Sequence, residues 1–236
     1  MTTQQSPTPR RSPATARRHP VFARWYPSRA AAADRAGFSA YRERLLSGLS
    51  GRVLELGAGS GLNFAYYPAA VERVVALEPE PRLRELALAA AREAPVPVEV
   101  VDGDAVDLSP YAGRFDAAVC SLVLCSVPDQ RAALAQLRAV LRPHEDDAVG
   151  EVRLLEHVRA DGGGLGVLQR MLDATVWPLI GAGCHCSRDV VPALAGAGLA
   201  AKSVERFSFP LNGPTLPTSP HVLLTAVPER RRPTRG

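Results

Sequence analysis

Residues Val53-Leu54-Glu55-Leu56-Gly57-Ala58-Gly59-Ser60-Gly61 form a short β-type run ending in three alternate glycines, with an acid two residues before the first. Such a loop turns tightly and lets its backbone approach a ligand, which a Cβ would obstruct. The spacing is G-x-G-x-G; a nicotinamide fingerprint wants its third glycine at position 62, where Leu62 stands. Glu55 suits a ligand with an ammonium group, because a pyrophosphate prefers helix-end N–H groups without a carboxylate nearby. Glu78 follows Gly57 by 21 residues, at the end of the next β-type run, where a carboxylate can accept both hydrogen bonds of a ribose diol. Asp104, after Val101-Asp102-Gly103, closes a third run and can accept from an adenine amino group. Any one of these acids reads most simply as a solvated loop charge. Their succession after three consecutive runs points to one nucleoside-bearing ligand.

These residues need a scaffold that brings several strand ends to one edge. Val53–Leu56, Val74–Leu77, Val96–Val101, Phe115–Leu124 and Val152–Val158 are strand candidates, and Pro81–Glu93 and Asp129–Leu141 are the clearest helices. Strands separated by helices imply a parallel sheet covered on both faces. Val204–Phe209 and His221–Val227, joined by a Pro-rich turn, add a terminal antiparallel pair. The expected fold is therefore α/β, a Rossmann-like doubly wound sheet of seven strands, mostly parallel, with an antiparallel terminal strand. Residues 1–19 read as a disordered Pro/Arg tail and 229–236 as a second basic tail. Residues 20–50 read as a helical cap, with an aromatic segment through Trp25 and Tyr26 leading into a helix over Ser28–Leu49. The main domain spans 51–228. Within it, residues 160–186 interrupt the alternation with three glycines and a helix through Leu168–Trp177, as a lid or an ordinary crossover would.

From about Arg52 to Val158 the chain resembles the class I S-adenosylmethionine-dependent methyltransferases. The resemblance assigns Glu55, Gly57, Ala58, Gly59 and Gly61 to the methionine moiety, with Asn63 near its carboxylate. It assigns Glu78 with Pro79 to the ribose, Asp104 with Ala105 to the adenine edge, and Cys120-Ser121-Leu122 to the border of the methyl donor. Val119–Val127, Leu141-Arg142-Pro143, Glu156-His157-Val158, Gly183-Cys184, Ser187-Arg188-Asp189 and Pro220-His221 narrow the likeness. They resemble the thiol-methylating methyltransferase-like family, which includes animal microsomal alkyl-thiol methyltransferases and soluble bacterial relatives. Two departures stand out. The usual Leu-Arg-Pro-Gly-Gly turn is replaced by Leu141-Arg142-Pro143-His144-Glu145-Asp146-Asp147, and the microsomal enzymes' apolar anchor is not found, which argues against a membrane-derived substrate.

The resemblance implies methyl transfer from a sulfonium, an in-line displacement that requires alignment and exclusion of water. A thiol acceptor needs little base, since an unperturbed thiol has a pKa of about 8.5; a hydroxyl needs a strong one. Lys202 is the only lysine and lies outside every motif, leaving His157, His185 and His221 as bases. His157, ending the fifth strand, is the first choice, against the simpler reading of a hydrogen-bonded structural imidazole. Arg188 either lowers the acceptor's pKa or pairs with Asp189. Cys184 is expected on the substrate side, with Trp25, Tyr26 and Trp177 as apolar walls or as packing. Cys184-His185-Cys186, joined by Cys120 or Cys125, raises a metal site, but no second pair stands at zinc-finger spacing, so no metal is expected. The expected activity is methylation of a small thiol by S-adenosylmethionine, giving S-adenosylhomocysteine. An oxygen or nitrogen acceptor on a secondary metabolite or lipid, and a non-catalytic binding protein, remain as alternatives.

Composition sets outer bounds. The 236 residues are 46% hydrophobic and 22% charged, enough for one substantial core. Of the net +4, the segments 1–18 and 229–236 hold +7, leaving −3 for the body. A nucleic-acid-binding core would concentrate its basic residues on the folded surface, so none is expected. No apolar run is long enough to span a bilayer and no signal-peptide pattern precedes the first strand. Four cysteines in apolar contexts read as reduced thiols, and the expectation is a cytoplasmic monomer or weak dimer.

Overall fold

The computed structural model describes residues 19–143 and 150–229. The expected tails, apart from His19 and Glu229, and the variant turn at 144–147 lie outside those residues. Seven strands form one sheet: β1 (Gly51–Leu56), β2 (Val71–Leu77), β3 (Val98–Val101), β4 (Ala117–Ser121), β5 (Glu151–His157), β6 (Leu199–Ser208) and β7 (Pro220–Pro228), in the order β3-β2-β1-β4-β5-β7-β6. The first five are parallel. β7 is antiparallel to both neighbours, inserted between β5 and the edge strand β6.

The chain reverses its direction of travel across the sheet between β1 and β4, and this is where a doubly wound sheet opens a crevice at its carboxyl edge. Register completes the arrangement. Leu56 stands opposite Leu77 on one side and Cys120 on the other, so Gly57, Glu78 and Ser121 emerge side by side. On the other side of β5, His157 stands opposite His221.

Alternation along the strands divides the core in two. Leu54, Leu56, Ala118, Cys120, Val152 and Leu154 pack beneath α4 (Gln130–Val140), while Val53, Val74, Ala117, Val119 and Leu155 pack with Leu45 and Leu46 of α2 (Ser39–Leu46). Glu55, Ser121 and His157 share the parity of the second set and so face the cap side. α3 (Pro81–Arg92) begins with proline at its first position, and α4 is capped by the Asp129 carboxylate, which accepts from the N–H groups of Arg131 and Ala132 at 2.9 and 3.0 Å.

The cap differs from the expected single helix over Ser28–Leu49. α1 (Pro20–Ala33) already contains the aromatic segment, and the chain then kinks at Gly37, whose φ of +107° breaks the run before α2. The segment after β5 folds as α5 (Gly163–Asp173) and the short α6 (Trp177–Ile180), followed by α7 (Ala193–Gly196). Gln169 of α5 is fully buried and stitches this segment down: its amide oxygen accepts from Ala160 N–H at 2.9 Å, and its NH2 donates to Pro217 O at 2.8 Å. Among the described residues no helix is long and apolar enough to cross a membrane.

Candidate active site

At the crevice the three loop glycines hold φ of +67° (Gly57), +58° (Gly59) and +80° (Gly61). A Cβ on Gly57 would lie 2.5 Å from Val123 Cγ2, so the loop and the β4 exit approach as closely as a bare backbone permits. A Cβ on Gly59 would meet Tyr26 of α1 at 3.5 Å, so the cap roofs the loop. Between them lies a cavity of about 180 Å³ lined by Phe22 and Tyr26, Gly57 and Gly59, Glu78 and Pro79, and the stretch Ser121 to Val123, with Ala182 from the segment after α6. Leu122 and Ala182 both sit at positive φ, +59° and +53°. Two non-glycine residues held in this sparsely populated region on one cavity wall mark backbone strain concentrated at the site. Glu78 accepts from Gly59 N–H at 2.8 Å and Glu80 N–H at 2.9 Å, and its burial pushes the carboxyl up to about 7.

Behind the loop lies a buried polar network. Glu55 takes Asn63 Nδ2–H at 2.8 Å on one oxygen and the Tyr67 hydroxyl at 2.7 Å on the other, and its burial holds it at about 7. Asn63 Oδ1 in turn accepts from Arg42 Nη1 at 2.9 Å, and the same nitrogen reaches Ser121 Oγ at 3.1 Å. Arg42 Nε pairs with Asp34 at 2.9 Å. A cation of α2 therefore stands behind Ser121 at the cavity wall and ties the cap to β4.

The substrate side is built from three distant segments. His157 and His221 face each other with ring centroids 4.6 Å apart. His221 Nδ1 donates to Ser219 O at 2.7 Å, and burial, with His157 next, pushes its pKa down to about 3; the ring is neutral and Nε2 is an acceptor. Cys125 Sγ lies 3.9 Å from His157 Nδ1, and Cys184 Sγ lies within 4.8 Å of Cys125 Sγ and of a ring nitrogen of His157. The Cys125 thiol, with its hydrogen bond to Cys184 as the leading cause, is pushed up, whereas Cys184, stabilised by Cys125 and then by His157 and the Trp177 indole, is pulled down. Glu156, fully buried, aims one carboxylate oxygen at the N–H groups of Val123 and Leu124, at 2.9 and 3.0 Å, and fixes the turn that carries Cys125.

Residues 54–144 match the family described as a methyltransferase domain. The fold aligns with a SAM-dependent methyltransferase from Thermotoga maritima at a TM-score of 0.64 and 18% identity, over 89% of this chain and 99% of that one. The human thiol S-methyltransferase TMT1A is 30% identical over 171 residues, 70% of this chain and 68% of that protein. Human thiol S-methyltransferase TMT1B is 35% identical over 189 residues, covering 77% and 73%. The chain belongs to the class I S-adenosylmethionine-dependent methyltransferases.

The methyltransferase's own residues fit that cofactor. The glycine loop offers backbone where a Cβ has no room, and the Glu78 carboxylate lies in the cavity wall at the end of β2. Other expected residues stand elsewhere. Glu55 is occupied by Asn63 and Tyr67 and is absent from the cavity lining: it stands opposite Val119, two residues short of the level of Ser121, with both oxygens turned into that network. Cys120 has the opposite parity to Ser121 and is fully buried in the core beneath α4. Asp104 Oδ1 accepts from Val106 N–H at 2.8 Å within its own exposed loop, and Ala105 packs against the core; neither lines the cavity. Trp25 is exposed and stacks edge-on against Phe22, whereas Tyr26 lines the cavity.

Cys184-His185-Cys186 does not act as a unit in the methyltransferase. Cys186 turns to the Asp173 carboxylate, and burial, with that carboxylate next, pushes its thiol up to about 12, while His185 Nδ1 binds Gly183 O at 2.7 Å. Arg188 donates to the carbonyls of Cys125 and Val127, while Asp189 pairs with Arg206 instead. Arg188 thus braces the turn bearing Cys125. The sequence reading passed over Arg42, although it stands on the apolar stripe of Phe38, Leu45 and Leu46 at helical spacing, where a charge signals a buried partner. Cys125 enters that reading only as an added partner for a Cys184-His185-Cys186 metal site, and Phe22, which lines the cavity, only as part of the aromatic segment.

Proposed function

We propose that this methyltransferase methylates the sulfur of a small, largely apolar thiol. The observation that carries the proposal is the substrate-side wall: two thiols and two imidazoles converge beyond the carboxyl ends of β4 and β5. The names of the human relatives support the same acceptor class. When bound, S-adenosylmethionine supplies an electrophilic methyl on a sulfonium. The glycine loop, Glu78 and the Arg42-Asn63-Ser121 network hold and orient the cofactor, and Phe22 and Tyr26 exclude water from above. With these side chains alone, His157 takes the acceptor's proton, and Arg188 positions the Cys125 turn beside it. The cap 20–50 and the segment 160–186 close the pocket, and the chain works as a cytoplasmic monomer or weak dimer on a small molecule rather than on nucleic acid.

A matched panel of apolar thiols, alcohols and amines tests the reading. Thiols should turn over with the highest kcat/KM; turnover confined to alcohols or amines overturns it.

A further inference from the structure

Cys125 Sγ, a ring nitrogen of His157 and Cys184 Sγ come from the β4 exit, the end of β5 and the segment after α6, and all lie within 4.8 Å of one another. Both cysteines are buried and His157 is partly so. A tetrahedral zinc, with Zn–S about 2.3 Å and Zn–N about 2.0 Å, sets its ligand atoms roughly 3.5–3.8 Å apart. The Cys125 to His157 separation is 3.9 Å, about 0.4 Å beyond the sulfur–nitrogen value of that range.

The backbone fixes the three ligands independently of any ion. Glu156 holds the turn before Cys125 through two N–H groups, and Arg188 holds its carbonyl. His185 N–H donates to Cys125 O at 2.9 Å, locking the Cys184 segment against the same turn. Gly183, at φ +86°, lets that segment pass so close that a Cβ there would lie 3.2 Å from Ser126 O. Trp177 Nε1 is buried beside the same segment and finds no hydrogen-bond partner among the described residues. Two thiolates and one dication sum to zero charge, the combination that a buried site tolerates best. Thiolate and imidazole donors select zinc-class ions over magnesium or calcium.

We propose that Cys125, His157 and Cys184 bind a zinc-class divalent ion, with the fourth tetrahedral position open to the sulfur of the acceptor. This reverses the expectation of no metal drawn from cysteine spacing, which the fold overrides by recruiting ligands from three elements. Three protein ligands and one open position is the pattern of catalytic rather than structural zinc. Ser126 and Ala182, which line the cavity, flank Cys125 and Cys184 along the chain, so the ion borders the cofactor cavity. On binding, the acceptor's S–H bond breaks, its proton passes to water, and the sulfur lone pair binds the ion. After methylation the neutral thioether is a poorer ligand and leaves. His157 then serves through a ring nitrogen as a ligand, and the ion supplies the deprotonation that the imidazole otherwise performs.

The fourth-ligand assignment rests on the thiol reading, but the metal site does not, and the test separates them. Reduced, full-length protein is loaded with zinc for elemental analysis and with cobalt for absorption spectroscopy. One equivalent should bind, and cobalt should give tetrahedral d–d bands with thiolate charge-transfer intensity. That intensity should fall about twofold in Cys125→Ser or Cys184→Ser, vanish in the double variant and persist in Cys186→Ser, whose thiol faces Asp173. Calorimetric binding of S-adenosylmethionine checks that each variant is folded. Wild-type protein that takes up no more zinc or cobalt than the double variant overturns the site. A small thiol should shift the charge-transfer band and the matching alcohol should not. A cobalt spectrum indifferent to thiols overturns the open position, whereas turnover of alcohols alone with the cobalt spectrum intact defeats only the thiol reading.

Discussion

Arg42→Met is the perturbation that probes most directly how the cap is coupled to the cofactor site. The Arg42 and Asp34 side chains are 5% and 13% exposed and 2.9 Å apart, so the pair is desolvated, and Nη1 also holds Asn63 and Ser121. Removing one partner of a buried pair leaves the other charge uncompensated and costs about 3–5 kcal/mol. Methionine keeps an apolar stem but loses the guanidinium, whose Cζ lies 5.3 Å from the Phe38 ring centroid, so most of the loss is electrostatic. Asp34→Asn in the same chain removes the orphaned charge, and the double variant should be less destabilised than the sum of the singles by about 1–2 kcal/mol. Because Asn63 and Ser121 lose the group that orients them at the cavity wall, cofactor affinity should fall about tenfold, or about 1.4 kcal/mol. Urea unfolding of all four proteins and calorimetry with S-adenosylmethionine measure both effects. A single variant within about 0.5 kcal/mol of wild type, or a strictly additive cycle with unchanged affinity, refutes the coupling.

Gly57→Val forces a side chain into a left-handed backbone and onto Val123, 2.5 Å from its Cβ position. Strain of about 1–2 kcal/mol and overpacking of about 1–3 kcal/mol should lower the unfolding midpoint and abolish cofactor binding; calorimetry showing wild-type affinity would contradict the close-approach argument. Glu78 in the free protein has its pKa raised from 4.5 to about 7, so the folded state binds the proton more tightly than the unfolded chain. Its stabilisation is present below about pH 4.5 and is lost as pH rises through about 7, an effect of up to about 3 kcal/mol. Unfolding of wild type and Glu78→Gln from pH 5 to pH 8 should show the steeper fall in wild type, and parallel profiles would reject the assignment.

The parallel strands were legible because fully buried strands read as short apolar runs between helix signals, and Glu78 was legible because a strand end has a fixed place at the sheet edge. Cys120 turns away from the crevice because the motif gives a position along the strand, while its face depends on parity relative to α4; Glu55 has the parity of Ser121, but its carboxylate is taken by Asn63 and Tyr67, partners that only the fold brings to it. The helix boundary at Pro20 was missed because Pro27 lies inside α1, where proline is normally read as a helix start. Cys125, His157 and Cys184 are separated by 32 and 27 residues, and only the crossing of β5 beside the β4 exit brings them together. Gln169 looked like an ordinary polar residue of an amphipathic helix, yet it is fully buried because three backbone groups need its amide.

The central claim is that sulfur is the acceptor. It is tested most directly by intramolecular competition, giving the enzyme isotope-methyl-labelled S-adenosylmethionine and a small apolar molecule that carries both a thiol and a hydroxyl. NMR of the product should place the label in a thioether methyl, with the hydroxyl untouched. Label in an ether methyl, with the thiol left free, would contradict the account.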